Sequence, residues 1–325
     1  MKDVVAGIDI GGTNIIFGLV DDTGNVIAEE RLKTVDYPDV KDYVSAQHSA
    51  LDAMVRGNPG HRLAGVGIGA PNANYHKGTI ELAPNLAWKG VVPLAEMMTA
   101  KAGTPVYLTN DANAAAMGEM IFGGARDMKD FIVLTLGTGL GSGIVVNGEV
   151  VYGHTGFAGE LGHMIIVPDG RECGCGRKGC YETYASASGL VRTVLNLMSV
   201  MRQDSVLREL PPSELTSRRI VEEAVKGDGI ALEALNYTAR MLGVGITNAI
   251  TFSSPEAVFL FGGLVKAGDI LLDPVRKYVD QNVMPIFRGR VKILPSKVSE
   301  SNAAVLGAAA LAWNALRKQP ASGVE

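Results

Sequence analysis

The sequence predicts an α/β protein made of two halves of similar architecture. Three observations carry that expectation. Short β-branched apolar runs alternate with segments of 3.6-residue apolar spacing, which is the pattern of strands alternating with helices. An order of strand, glycine turn with threonine, strand, tight turn and strand occurs twice, about 125 residues apart. No stretch is rich enough in Pro, Ser or charge to mark a flexible boundary, so the halves are expected in close contact. Coincidence between two ordinary hairpins is the competing reading of the repeat.

The first half opens with Val4–Ile10, a buried apolar strand broken by Gly11-Gly12-Thr13 and resumed at Ile15–Val20. Asp22-Thr23-Gly24-Asn25 is a turn, and Val26–Lys33 a third strand. Residues 39–56 are expected to be helical, 64–69 a strand, Leu94–Ala102 a helix, Val106–Thr109 a strand and Asp111–Met120 an alanine-rich helix. The second half repeats the opening: strand Phe131–Leu136, a glycine turn over residues 137–143, strand Ile144–Val146, a type I′ turn at Asn147-Gly148 and strand Glu149–Tyr152. Helices are then predicted at Ser213–Val225, Ile230–Ala249 and Ala267–Val283, with strands at Ala257–Phe261 and Val291–Leu294. Asn302–Leu316 is a terminal alanine-rich helix, and Lys318–Glu325 is a polar end expected to fray.

Composition excludes several classes. The chain has 325 residues, 47% hydrophobic and 20% charged, with a net charge of −4. That apolar content rules out disorder over most of the length. No apolar run reaches 18 residues, so no membrane-spanning helix is expected. The slight acidity argues against a nucleic-acid surface. Met1-Lys2-Asp3 leads into an apolar strand without a signal-peptide layout, so a cytoplasmic location is expected. Glycine is abundant, 40 residues, and is expected where backbone meets ligand or turns sharply.

Asp9-Ile10-Gly11-Gly12-Thr13 follows a strand. Glycines let N–H groups converge on an anion, and Thr13 adds a hydroxyl donor. Asp9 would repel a phosphate unless a divalent cation, such as Mg²⁺ with its retained waters, lay between them. A hairpin with a glycine bulge explains the same residues without a ligand. The second turn, Gly137-Thr138-Gly139-Leu140-Gly141-Ser142-Gly143, leads into another hairpin. A dinucleotide fingerprint needs a helix there, so nicotinamide binding is set aside. Gly262-Gly263 ends a strand before a helix, which suits either a nucleotide's ribose or base, or tight packing. Asn110-Asp111 sits where a strand meets a helix, at the carboxyl end where ligands of α/β sheets gather. Asp111 reads as a helix cap or as a general base accepting a proton from an alcohol.

All three cysteines lie between positions 173 and 180, a poor disulfide framework. With His163, Cys173, Cys175 and Cys180 make a complete tetrahedral zinc set of the closed, structural kind. Its role would be to order the loop and fix Glu160 and Glu182, whose carboxylates can accept hydrogen bonds from a polyol. A solvated charge is the alternative for each glutamate.

Together these residues resemble the repressor/ORF/kinase (ROK) family of sugar kinases, within the actin-like ATPase superfamily. The segment C-x-C-G-x-x-G-C-x-E matches from Cys173 to Glu182, and G-E-x-G-H matches up to His163. The D-x-G-G-T opening at Asp9–Thr13, the Asn110-Asp111 pair and the Gly-Thr-Gly turn also match, in the family's order over nearly the whole chain. The resemblance implies a two-lobed actin-like ATPase (ribonuclease H-like) fold with duplicated βββαβα halves and a cleft between them. Residues 1–120 with 302–325 would form the smaller lobe, and 121–301 the larger lobe with the zinc segment.

It further implies transfer of the γ-phosphate of ATP to the 6-hydroxyl of a hexose, glucose first. N-acetylmannosamine, N-acetylglucosamine, allose and fructose are the other candidates. Asp111 resembles the catalytic base. Asn85, Asn110, Glu160, His163 and Glu182 resemble the sugar-hydroxyl ligands, with His163 sharing its ring between zinc and sugar. Asp9, Gly11, Gly12, Thr13, Gly137, Thr138 and Gly139 resemble the phosphate site, and Gly262-Gly263 the adenosine turn. The implied cofactors are Mg²⁺ and structural Zn²⁺, and the implied assembly is a homodimer or homotetramer, with no nucleic-acid or membrane partner. Some relatives are sugar-sensing repressors with an N-terminal helix-turn-helix. The first strand here starts at Val4, so that element is not expected. Two departures from the family pattern matter. Pro71, after which relatives usually place glycine, is followed by Asn72 and Asn74, extra amides that bear on the sugar, and Asn14 stands where relatives often carry lysine, which removes a positive charge near the phosphates.

Overall fold

The computed structural model describes residues 1–298 and 302–318. They fall into two compact units. The first comprises Met1–Met128, Val150–Ala158 and the described part of Lys297–Glu325; the second comprises Lys129–Glu149 and Gly159–Ser296. In chain order the first unit carries β1 (Lys2–Ile10), β2 (Asn14–Val20), β3 (Val26–Lys33), α1 (Val40–Gly57) and β4 (His61–Gly69). A small antiparallel sheet follows, β5 (Ala73–Asn74), β6 (Thr79–Glu81) and β7 (Val91–Val92), then α2 (Leu94–Ala102), β8 (Val106–Thr109) and α3 (Asp111–Phe122). Next come β9 (Phe131–Leu136), β10 (Leu140–Val146), β11 (Glu149–Val150), α4 (Glu182–Ala185), α5 (Ala187–Val200), α6 (Ser217–Val225) and α7 (Gly229–Ser253). The chain continues through β12 (Ala257–Phe261), α8 (Asp269–Asn282) and β13 (Lys292–Pro295), and α9 (Ala303–Lys318) completes the first unit. Among the described residues no helix is long and apolar enough to cross a membrane.

The two main sheets share one topology. The first is ordered β3-β2-β1-β4-β8 and the second β11-β10-β9-β12-β13. In each, the opening strand pairs antiparallel with the strand after it and parallel with a later one, β1 with β4 and β9 with β12. The twofold pattern in the sequence is therefore a repeat of architecture. Burial on both faces of a parallel strand explains the unbroken apolar runs. In β1, Val4, Ala6, Ile8 and Ile10 face Tyr43, Leu51 and Met54 of α1 and Leu94 and Met98 of α2. Val5, on the other face, packs with Val305, Ala309, Ala312 and Trp313 of α9.

Gly7 and Gly67 are register partners in β1 and β4, and both lie under α9. A Cβ on Gly7 would collide with the Val305 carbonyl oxygen, and one on Gly67 with that of Ala308. The glycine pair and the alanine-rich helix are two sides of one close contact. It brings the helix backbone nearer to the sheet than any larger pair of residues would allow.

Most predicted elements fall at their expected places, and Leu94–Ala102, Val106–Thr109, Phe131–Leu136 and Ala257–Phe261 match to the residue. The second glycine turn is shorter than expected. Leu140, Gly141, Ser142 and Gly143 already belong to β10, where they pair with Leu136, Thr135, Leu134 and Val133. Helix α6 starts at Ser217 rather than Ser213, because the Thr216 hydroxyl caps it by accepting the Arg219 N–H at 3.2 Å. Helix α5 was not anticipated, nor was the small β5–β7 sheet. Beyond Lys318, the expected frayed end lies outside the described residues.

Candidate active site

In the first unit the site residues sit at the carboxyl ends of three adjacent parallel strands. Asp9 of β1, Gly69 of β4 and Thr109 of β8 are register neighbours across the sheet. Gly69 is the opening between the two aspartates. A Cβ placed on it would lie 3.7 Å from Asp9 Oδ1 and 3.7 Å from the Asp111 Cα. Burial and the charge of Asp111 push the Asp9 carboxyl up to about 6. Asp111 keeps solvent-exposed surface, yet the density of protein around it pushes its carboxyl upward too, against the partly compensating Ala112 N–H at 2.8 Å.

The capping question resolves in favour of Asn110. Its side chain accepts the Asn113 N–H at 2.7 Å, and its backbone is extended at φ −71° and ψ 161°. Asp111 is the first residue inside α3 and is not needed as the cap. The turn that follows Asp9 is braced from behind. The Thr34 N–H and hydroxyl donate to the carbonyls of Thr13 and Gly11 at 2.9 and 2.6 Å. That leaves Gly12 and Thr13 on the exposed side of the turn. Asn85 lies directly on it: a Cβ on Gly12 would sit 3.0 Å from the Asn85 carbonyl oxygen.

Asn72 and Asn74 are used by the fold. The Asn72 amide donates to the carbonyls of Glu81 and Leu82. Asn74 is fully buried; it donates to Glu81 Oε1 and to the Thr155 carbonyl, and accepts the N–H groups of His76 and Lys77.

In the second unit, Gly137-Thr138-Gly139 is held against the start of α5. The Ala187 N–H donates to the Gly137 carbonyl at 2.9 Å, and the Ser188 hydroxyl to that of Thr138 at 2.6 Å. Gly262 stands beside this turn, with φ +109° and a would-be Cβ only 2.7 Å from the Leu136 carbonyl oxygen, so only glycine fits. Gly263 begins the single turn of 3₁₀ helix that leads to α8.

The metal ligands predicted from the sequence converge. The donor atoms of His163, Cys173, Cys175 and Cys180 all lie within 4.8 Å of one another. His163 Nδ1 is 3.7 Å from Cys173 Sγ, and the sulfurs of Cys175 and Cys180 are 3.6 Å apart. Metal–sulfur bonds near 2.3 Å in a tetrahedron require roughly such edges, so the four residues can hold one ion. The backbone and guanidinium N–H groups of Arg177 lower the Cys175 thiol to about 6, favouring the thiolate a ligand must be. Gly179, at φ +78°, passes under the Val167 carbonyl where a side chain would collide.

Glu182 joins this cluster to the phosphate-type turn. Its Oε1 lies 3.0 Å from Cys173 Sγ and 3.8 Å from His163 Nδ1, while its Oε2 covers Gly139. Tyr181 anchors it: that ring fills the space left by Gly245 of α7, and its hydroxyl donates to the Leu242 carbonyl at 2.8 Å. Glu160 is exposed and opens the short 3₁₀ turn Leu161–His163, where the His163 N–H donates to the Glu160 carbonyl at 3.0 Å. Thus Asp9, Gly11–Thr13, Asn85, Asn110 and Asp111 assemble in the first unit. Gly137–Gly139, Glu160, His163, Glu182, Gly262-Gly263 and the cysteines assemble in the second. Sequence reading did not find Thr34, Gly69, Ser142, Ser186 or Ser188. Only Ser186 had a local signal, a favoured cap three residues before Gly189, whose N–H it accepts at 3.0 Å.

Comparison with known proteins identifies the family. The profile of the ROK family matches residues 5–315. A glucokinase of Streptomyces coelicolor is 38% identical over 276 residues, covering 83% of this chain and 85% of that protein. A putative xylose repressor of Caldicellulosiruptor is 32% identical over 311 residues, 95% of this chain and 77% of the repressor. The crystal structure of a ROK family glucokinase from Streptomyces griseus, in complex with glucose and AMPPNP, superposes with a TM-score of 0.79 at 34% identity. It covers 96% of this chain and 99% of that one.

Proposed function

Since the chain belongs to the ROK family, we propose that it is an ATP-dependent hexose kinase, phosphorylating glucose at O6. The observation that carries the reading is Asp111: a carboxylate at the carboxyl end of β8, raised in pKa and released from capping by Asn110. It accepts the proton of the C6 hydroxyl as that oxygen forms its bond to the γ-phosphorus. The bond from γ-phosphorus to the bridging oxygen breaks, and ADP departs with the electron pair. Base help of this kind contributes roughly 10²–10⁴-fold. Positioning and charge neutralisation supply most of the rest.

Asn85 and Asn110, with Glu160, His163 and Glu182, hold the sugar hydroxyls. The N–H groups of Gly11–Thr13 and Gly137–Gly139 hold phosphate oxygens, and Gly262-Gly263 accommodates the adenosine. Asp9 faces the phosphates with a carboxylate that calls for a cation. Magnesium, when bound, neutralises phosphate charge there. Zinc, when bound by His163 and the three cysteines, orders the loop that carries Glu182. His163 gives Nδ1 to that cluster, which leaves Nε2 as the nitrogen for a sugar hydroxyl. The protein acts as a homodimer or homotetramer.

ADP release measured with and without glucose, and then across a panel of hexoses and N-acetylhexosamines, tests the reading. Glucose-dependent release is expected, and equal rates with and without any sugar refute it. The similarity to a xylose repressor favours a second reading, a sugar sensor without turnover. That reading predicts sugar binding in calorimetry with no sugar-dependent ADP.

A further inference from the structure

The stretch that carries Glu160 lies on β10, and a side chain of β10 holds it there. Ser142 is 3% exposed and pairs in register with Leu134 of β9. Its hydroxyl donates to the Gly159 carbonyl oxygen and accepts the Leu161 N–H at 3.0 Å. One oxygen therefore ties the peptide groups on both sides of Glu160. The glycines flanking this pair make the close approach possible. Gly159 takes φ +92°, a conformation that favours glycine, and a Cβ on Gly162 would collide with the Leu140 carbonyl oxygen. The same strand begins directly after the Gly137–Gly139 turn.

From these contacts, and resting on the hexose-kinase reading, we infer that Ser142 is a positioning residue for the sugar. It pre-orders Glu160, and through the 3₁₀ turn His163, before the hexose arrives. A ligand whose backbone is already fixed loses little freedom on binding, so more of its hydrogen-bond energy appears as affinity. Without the hydroxyl, the Gly159 carbonyl and the Leu161 N–H keep only their mutual hydrogen bond at 2.8 Å, and the tight turn that carries Glu160 loses its tether to β10. The β9–β10 ladder does not use the Ser142 side chain, and the Gly137–Gly139 turn is tied to Ala187 and Ser188 instead. The nucleotide side is therefore untouched.

The test is steady-state kinetics of Ser142→Ala against the wild type. The KM for glucose should rise roughly three- to tenfold, the range set by the net worth of a hydrogen bond. The KM for ATP should stay within about twofold. In a Glu160→Ala background, Ser142→Ala should add a smaller rise than in the wild type, because only His163 is then left for it to position, and a full additive rise overturns the inference. A merely structural serine would instead lower kcat through a smaller active fraction, with both KM values unchanged, and that result overturns the inference. So does a glucose KM within twofold of wild type, or an equal rise for ATP. If Ser142→Ala does not fold, Ser142→Cys, which keeps the side-chain volume and replaces the hydroxyl with a weak donor and acceptor, gives the same readings. A wild type without sugar-dependent ADP release overturns both this inference and the functional reading. An active wild type with an unaltered S142A variant overturns the inference alone.

Discussion

Asp9→Asn should make the protein more stable while disabling it. The wild-type carboxyl has a pKa of about 6 in the folded chain, against 3.8 for an unperturbed group. Keeping it ionised at neutral pH therefore costs the folded state up to about 3 kcal/mol, at 1.36 kcal/mol per unit. Asp9 is only half-buried, so solvent screening brings the expected figure to about 1–2 kcal/mol. The sign follows from proton linkage. The folded state binds this proton more tightly than the unfolded state, so the Asp9 contribution to stability is fully present below about pH 4 and is lost as pH rises through about 6. Asparagine cannot ionise, and its advantage should widen between about pH 4 and pH 7 and level off above. Urea unfolding of both proteins across that range, in chelator, reads the difference directly. The coupling to function appears when magnesium and a nucleotide are added, which should stabilise the wild type and not the variant. An asparagine variant that is less stable at pH 8, or whose advantage does not change with pH, would refute the reasoning.

Asp111→Asn should lower kcat by roughly 10²–10⁴-fold while glucose affinity measured by calorimetry stays within a fewfold; retained turnover would reduce Asp111 to a helix residue. Cys175→Ser removes one of four ligands, so bound zinc measured by atomic emission should fall from one per chain toward zero, and the glucose KM should rise because Glu182 and His163 lose their anchor. Gly67→Ala drives a methyl into the Ala308 carbonyl and should destabilise the first unit by about 1–3 kcal/mol or more, seen as a lower urea midpoint; an unchanged midpoint would mean that α9 can shift away without loss.

The candidate-site residues stood out in the sequence because they carry local signals. Cys173, Cys175 and Cys180 declare a metal set by type and spacing, and Gly11-Gly12 breaks an apolar strand where a turn must be. The repeat of strand, glycine turn and strand was readable because β-branched runs and glycines mark both copies in the same order. What escaped depends on contacts between distant segments. Ser142 looked like one more small residue in a glycine run, and only pairing with β9 shows that Leu140 to Gly143 are strand. Thr34 and Ser188 have no local signal at all, because their hydroxyls serve carbonyls 23 and 50 residues away. That Asn110 caps α3 also escaped. From sequence Asp111 alone reads as the cap, although Asn is as good a cap as Asp, and the Asn110–Asn113 hydrogen bond identifies the residue used.

A crystal structure of this chain with glucose and a non-hydrolysable ATP analogue would put the proton transfer to its sharpest trial. The Asp111 carboxylate should lie roughly 2.6–3.2 Å from the sugar O6, with that oxygen in line with the γ-phosphorus. A sugar bound with O6 facing another group, and Asp111 turned into open solvent, would contradict the account.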